Sequence, residues 1–279
     1  GAEIIVCTPG RMIAHLNQGY FDFSELDFLV LDEADRMLDM GFYNDIQRII
    51  RYLPDKRQNL FFAATMIDNV KKLAHDVLKD PVEVNIAISQ PAEKILQAAY
   101  VVYENQKVEL ARHILSNKDL ASAIVFCSTK KSAKELNREL KRKGLNAEEI
   151  HSDLEQSERS QILNQFKNRN LKILVATDVI SRGIDVENVE LILNYDVPEN
   201  GESYIHRIGR TARAEADGVA LTLISPREQT KFDAIEKKMK KKVFKRPIPE
   251  EIGEGPSYTP HKRGPKPKKK TYYNKKKRK

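Results

Sequence analysis

Short apolar runs, regularly interrupted, constrain this chain more than any other feature. Phe28-Leu29-Val30-Leu31, Asn59 to Ala63, Ile124-Val125-Phe126, Ile173-Leu174-Val175 and Leu191-Ile192-Leu193 are each too short for a helix core. Side chains on a strand alternate between faces, so an unbroken apolar run predicts a strand buried on both sides. Between these runs, Asp68 to Leu78, Lys130 to Lys143 and Ser157 to Phe166 carry apolar residues at helical spacing. Strands alternating with helices predict the α/β class, with doubly wound parallel sheets covered on both faces.

The rhythm breaks at Ser89-Gln90-Pro91-Ala92-Glu93, which predicts a linker over 89–93. It separates a first domain, residues 1–88, from a second, residues 94–236. From Lys237 onward the chain is rich in Lys, Pro and Gly with little to bury, which predicts a basic disordered tail over 237–279. That tail holds 18 Lys/Arg against 3 Asp/Glu, whereas the rest of the chain holds 30 against 37. A slightly acidic body with a basic arm suits a polyanionic partner, although such tails also serve only solubility or targeting. The two cysteines, Cys7 and Cys127, lie far apart inside apolar runs. They form neither a disulfide framework nor a metal-ligand cluster, which fits a reducing cytoplasm. No apolar stretch nears the roughly 20 residues that span a bilayer, so no membrane partner is expected.

Asp32-Glu33-Ala34-Asp35 follows directly on the run ending at Leu31. In open α/β sheets ligands gather at the carboxyl ends of strands, which is where these carboxylates fall. Nucleotide hydrolases use such a pair to hold magnesium and orient a water, the first carboxylate serving the metal shell and the second taking a proton. Capping of the following helix explains the same four residues equally well. A second constellation, Arg207, Arg210 and Arg213 after His206, repeats a guanidinium every third residue. Guanidinium forks suit phosphates; a solvated basic helix face has the same spacing.

Val30-Leu31-Asp32-Glu33-Ala34-Asp35-Arg36-Met37-Leu38-Asp39-Met40-Gly41-Phe42 resembles the signature stretch of DEAD-box RNA helicases. Six further stretches occur in that family's order. They are Thr8 to Arg11, Ala63-Ala64-Thr65, Val125 to Thr129, Gln156 to Arg159, Ala176-Thr177-Asp178 with Ser181 to Asp185, and His206 to Arg213. The resemblance covers Ile4 to about Ser225, and its wording is most similar to bacterial RhlE-like members.

It implies two RecA-like domains, the first incomplete, that close on ATP with Mg2+ and on RNA, in a monomer. Asp32 would hold the magnesium through water, with Glu33 and Asp35 completing the catalytic acidic group. Arg210 and Arg213 would meet the γ-phosphate, and His206 would link the second domain to the acidic strand end. Asp185 and Gly183 would lie on the ribose side of the nucleotide; Arg207, grouped with them, would support the arrangement by internal pairing. Ala63, Ala64 and Thr65 would couple hydrolysis to strand separation, although the family usually has Ser-Ala-Thr and the first hydroxyl is missing here. Thr8, Gly10, Arg11, Gln156, Arg159 and Thr177 would touch the RNA backbone, where contacts follow shape and 2′-hydroxyls more than sequence. The basic tail would add charge, and Tyr258, Tyr272 and Tyr273 would add stacking.

No Gly-x-x-x-x-Gly-Lys-Ser/Thr stretch occurs in the 279 residues. In the family that phosphate loop precedes the strand expected at Glu3 to Cys7, and the chain opens on Gly1 in mid-pattern, which reads as a cut. The expectation is an ATP-dependent RNA helicase whose present residues hydrolyse ATP poorly by themselves. A non-catalytic RNA-binding or adaptor module is the alternative, and a DNA-tracking motor a further one.

Overall fold

The computed structural model describes residues 2–63, 65–66, 68–84, 95–177, 186, 189–211 and 218–260. The chain divides into two compact units, Gly1–Ser89 and Gln90–Lys279. The linker expected over 89–93 lies outside the described residues.

In the first unit two strands, β1 (Phe28–Leu31) and β2 (Gln58–Phe61), pair in parallel from Phe28 opposite Gln58 to Leu31 opposite Phe61. Four helices accompany them: α1 (Pro9–Leu16), α2 (Ala34–Asp39), α3 (Tyr43–Ile50) and α4 (Asp68–Val77). Leu29, Leu31 and Phe61 pack against Ile46 of α3 and Leu73 and Val77 of α4. Met12 and Leu16 of α1 pack with Phe23, Ile49 and Leu53 in a smaller cluster. The other side of β1 is open: Phe28 is 59% and Val30 55% exposed. The expectation of burial on both faces therefore fails for β1. The strand expected over Glu3 to Cys7 does not form either. No strand among the described residues pairs with it, and Ile4 and Val6 are exposed. An extended segment without a ladder leaves its backbone groups to water.

The second unit carries a seven-stranded, all-parallel sheet. Its strands are β3 (Ile95–Val101), β4 (Ala123–Cys127), β5 (Ala147–Ile150), β6 (Ile173–Thr177), β7 (Leu191–Asn194), β8 (Gly218–Ile224) and β9 (Phe244–Arg246). Their order across the sheet is β5-β6-β4-β7-β8-β3-β9. Here the period-two logic holds: Ile124 and Phe126 enter one core, while Val125 and Cys127 enter the other. Helices α5 (Lys107–Leu115) and α6 (Lys130–Arg142) cover the Val125 face through Leu110, Leu115, Leu136 and Leu140. Helices α7 (Gln156–Lys167), α8 (Gly201–Ile208) and α9 (Gln229–Met239) cover the Phe126 face through Phe166, Tyr204, Ile208 and Phe232. Both faces are thus covered, as the α/β reading of the sequence requires.

The second unit also runs past the boundary expected at Glu236. α9 continues to Met239, and β9 adds to the free edge of β3 with Tyr100 opposite Arg246. Ile248 and Ile252 then join the Val125 core, while Val243 and Tyr258 join the Phe126 core. The cause is a buried carboxylate. Glu236 is 1% exposed and accepts bonds from the Val243 amide at 2.7 Å, Lys245 Nζ at 2.6 Å and the Tyr258 hydroxyl at 3.1 Å. Gly255 passes so close to the Val101 carbonyl that a Cβ there would collide with it. Residues 237–260 are therefore a folded strap, not the start of a disordered tail; 261–279 lie outside the described residues. Among the described residues no helix is long and apolar enough to cross a membrane.

Candidate functional site

The end of β1 delivers Asp32 and Glu33 into solvent, both exposed. Glu33 takes left-handed backbone angles, φ 48° and ψ 46°, which turn the chain sharply from strand into α2. For a non-glycine residue this costs about 1–3 kcal/mol, a strain typical of sites where geometry outranks stability. Neighbouring bonds hold the turn: the Phe62 amide donates to the Leu31 carbonyl at 2.8 Å, and the Ala34 amide to the Phe62 carbonyl at 3.0 Å. Asp32 Oδ1 accepts the Glu33 amide at 2.9 Å, and Glu33 Oε2 accepts Arg36 Nη1 at 2.6 Å. Glu33 makes no side-chain cap bond to the helix it precedes. The capping alternative thus explains neither Asp32 nor Glu33.

Asp35 does something else. Its Oδ1 accepts its neighbour's amide, Arg36, at 3.0 Å. Its Oδ2 accepts both the amide and the hydroxyl of Thr65 at 3.1 Å each. Thr65 is 7% exposed, so this double bond is largely shielded from water. The acidic tetrad is therefore split, two carboxylates facing outward and one joined to the segment after β2. Ala63 lies half-buried just before it, and Ala64 lies outside the described residues.

Thr8, Gly10 and Arg11 gather at the start of α1. Pro9 occupies the opening turn, the Thr8 side chain makes no cap bond, and all three residues are exposed. The first amides of this helix thus face outward beside a guanidinium, an arrangement able to receive phosphate.

In the second unit Gln156 opens α7 and is exposed. Arg159, one turn on, is half-buried, and its Nε has no partner among the described residues. Thr177 ends β6 opposite Cys127 and is only 5% exposed.

The arginine row divides. Asn200 caps α8 by accepting the Ser203 amide at 2.8 Å, which sets the helix phase. His206 is then exposed and Arg210 partly so, while Arg207 points inward at 2% exposure. Arg207 Nη1 donates to Asn194 Oδ1 at 3.1 Å and to the Asp196 carbonyl at 2.9 Å, and its guanidinium stands 5.0 Å over the Phe126 ring. Arg207 thus anchors α8 from inside. Gly183, Asp185 and Arg213 lie outside the described residues.

Sequence reasoning missed a buried ion cluster at the same edge of this sheet. Lys107, 1% exposed, reaches Asp196 Oδ1 at 3.2 Å and Glu228 Oε2 at 2.8 Å. Burial alone would lower the lysine's pKa; the charges and bonds of Glu228 and Asp196 more than offset it, and the net shift is upward. For Glu228 burial pushes up, while Lys107, Ser225 and the Val197 amide pull its carboxyl below the ordinary glutamate range. Nothing in the sequence separates Lys107 from the many surface lysines.

The DEAD/DEAH box helicase family matches residues 1–73, and the helicase conserved C-terminal domain family matches residues 106–215. The chain belongs to the DEAD-box RNA helicase family. Among DEAD-box relatives, the DEAD-box ATP-dependent RNA helicase CshA of Geobacillus kaustophilus is 41% identical over 256 residues, which cover 91% of this chain and 55% of the relative. The ATP-dependent RNA helicase DeaD of Mycobacterium tuberculosis is 40% identical over 249 residues, covering 89% of this chain and 44% of the relative. The chain thus spans about half the length of these curated relatives. Among solved structures, S. cerevisiae Dbp5 bound to RNA and ADP BeF3 matches with a TM-score of 0.77 at 30% identity. That match covers 86% of this chain and 64% of Dbp5.

Proposed function

We propose that this chain serves an ATP-dependent RNA helicase that couples ATP hydrolysis to local opening of RNA duplexes or remodelling of RNA–protein complexes. The observation that carries the reading is the divided acidic tetrad. Asp32 and Glu33 are exposed, Glu33 paired with its neighbour Arg36, while Asp35 is bonded to Thr65. Asp32 Oδ2 takes no hydrogen bond among the described residues, and a hard anionic oxygen of this kind suits magnesium held through water. Bound magnesium would neutralise charge on the triphosphate. Glu33 then accepts a proton from the attacking water, and Arg210 and Arg213 stabilise charge on the γ-phosphoryl group. His206 carries the link between the second domain and the acidic strand end, and Gly183 and Asp185 attend the ribose. Thr8, Gly10, Arg11, Gln156, Arg159 and Thr177 hold the RNA backbone, with the basic tail adding charge. That yeast Dbp5 was solved with RNA and ADP BeF3 supports both ligand classes.

The RhlE-like subgroup rests on motif wording alone, since the relatives above carry the names CshA and DeaD. A monomer working in the cytoplasm accompanies this reading.

The 279 residues contain no phosphate loop, so they are expected to bind RNA but to turn over ATP poorly by themselves. The test is ATP hydrolysis, with and without single-stranded RNA, by a protein holding these residues together with such a loop. RNA should raise turnover, and Glu33→Gln should cut it by about 10²-fold or more while sparing RNA binding. Turnover that RNA leaves unchanged would favour the adaptor alternative instead.

A further inference from the structure

The strap does more than close a sheet edge; it supplies one wall of a cavity. That cavity, of about 600 Å³, lies beside α5 on the side of the sheet that carries Val125. Tyr100 of β3 and Leu221 of β8 form its floor. Arg112 and His113 of α5 stand on one side, Arg246 of β9 and Glu251 of the strap on the other. Such a volume holds a small molecule or a few side chains.

The cavity and its flank combine charge with apolar surface. Arg246 is exposed, stands 5.8 Å over the Tyr100 ring, and makes no ion pair among the described residues. Arg112 is held by Glu109 one turn earlier, and His113 meets Glu251 at 2.5 Å. Alternate residues of a strand share a face. Ala98 and Tyr100 enter the Val125 core, so Leu96 points to the same side, as does Phe244 opposite Ala98. Leu96 is 62% and Phe244 67% exposed, the two most exposed large apolar side chains of the second unit among the described residues. Single apolar side chains are ordinary on a surface, but two on one flank beside an unpaired guanidinium mark a place of contact.

We propose that this flank is a docking surface for a partner protein, which lays a short acidic-apolar segment across it. A large apolar side chain covers Leu96 and Phe244, and a neighbouring carboxylate pairs with the Arg246 fork. Charge selects this occupant over others. Residues 261–279 carry 11 Lys/Arg and no Asp/Glu, so the chain's own arm offers nothing to a guanidinium. A second copy meeting the face across a two-fold axis would set Arg246 against its like. A nucleic acid would bring a phosphate with every nucleotide past Glu109 and Glu251, which repel it. A peptide needs only the one carboxylate that Arg246 takes. The docking surface uses no residue assigned to ATP or RNA, so it goes beyond the helicase reading and stands apart from it.

The test presents a random library of short displayed peptides to the 279-residue chain. Recovered peptides are remade with a fluorophore and their binding measured by anisotropy. The expected result is enrichment of an acidic residue beside a large apolar one. Phe244→Ser and Arg246→Glu, both at exposed positions and checked for unchanged melting, should each weaken binding about tenfold or more. Leu96→Ser serves the same purpose without touching β9. Exchanging the peptide's acidic residue for lysine should restore affinity for Arg246→Glu, a rescue that damage to the fold cannot mimic. A library that yields no binder overturns the proposal, as do peptides that bind the variants and the unaltered chain alike. Light scattering that shows a dimer broken by Arg246→Glu would give the face to a second copy. Oligouridine that displaces the peptide would give it to nucleic acid, and either result overturns the assignment to a protein partner.

Discussion

Thr65 meets Asp35 through two groups, and only one of them depends on its side chain. Thr65→Val keeps the shape and the amide bond but deletes the hydroxyl, leaving a shielded carboxylate oxygen with one donor fewer. Loss of a hydrogen bond to a charged group costs roughly 1.5–3 kcal/mol. In an active helicase, unwinding per ATP is expected to fall about tenfold or more while ATP turnover changes less. Ala63→Ser restores the hydroxyl usual in the family and should preserve or improve unwinding per ATP; a clear loss would count against a coupling role for this segment. A second residue-scale expectation concerns acid. The folded pKa of Glu228 lies below its unfolded value, so its contribution is complete above about pH 4.3 and is lost as pH falls through the lower folded value. Urea midpoints of the unaltered chain and Glu228→Gln should therefore differ most near neutrality and converge as the medium is acidified. A gap that widened in acid would refute the assignment.

At the scale of elements, β4, β6 and β7 of the second sheet were legible because each contains an unbroken apolar run, whereas β5, with Glu148 and Glu149 at its centre, carries no such signal. Ile124 to Phe126, Ile173 to Val175 and Leu191 to Leu193 all lie inside the observed strands. Helices α4, α6 and α7 were legible for the same reason of period. Two further segments were read wrongly. Glu3 to Cys7 has strand composition but no pairing partner, and composition cannot supply one. The strap after Met239 hides four core residues, Val243, Ile248, Ile252 and Tyr258, among lysines and prolines, so its mean composition resembles a tail. The decisive residue is Glu236, which the sequence presents as one more charged position on a surface helix. Glu236→Ala would strand Lys245 and the Val243 amide, and removing one partner of a buried pair costs about 3–5 kcal/mol. Thermal denaturation should show a melting temperature lowered by many degrees, with β9 amides losing protection first; a change of only a degree or two would mean that the strap is held by its apolar residues alone.

At the scale of the whole molecule, the strap relocates the basic arm. Residues 261–279 carry 11 Lys/Arg and no Asp/Glu, whereas the lysines of 237–246 lie in α9, in β9 or in the short link between them, and several are paired with Asp233, Glu236 or Glu202. Trimming after Glu236 would thus damage the fold as well as remove charge. Trimming after Pro260 isolates charge, and the slope of log affinity for RNA against log salt should become shallower. An unchanged slope would remove the arm from RNA binding. The same scale separates what motifs can and cannot tell: the acidic tetrad and arginine row stand out as candidates by spacing, yet the inward turn of Arg207 follows from the phase of α8, which Asn200 sets.

Because β9 docks on β3, the opening strand of this sheet is flanked by the strand that comes last in it along the chain. Gln106 likewise waits for the carbonyls of Ile252 and Glu254, some 146 and 148 positions downstream. Such contacts raise contact order and slow folding. A nascent chain must therefore keep the outer side of β3 unpaired until β9 has emerged, and in that interval the bare edge is open to the wrong strand.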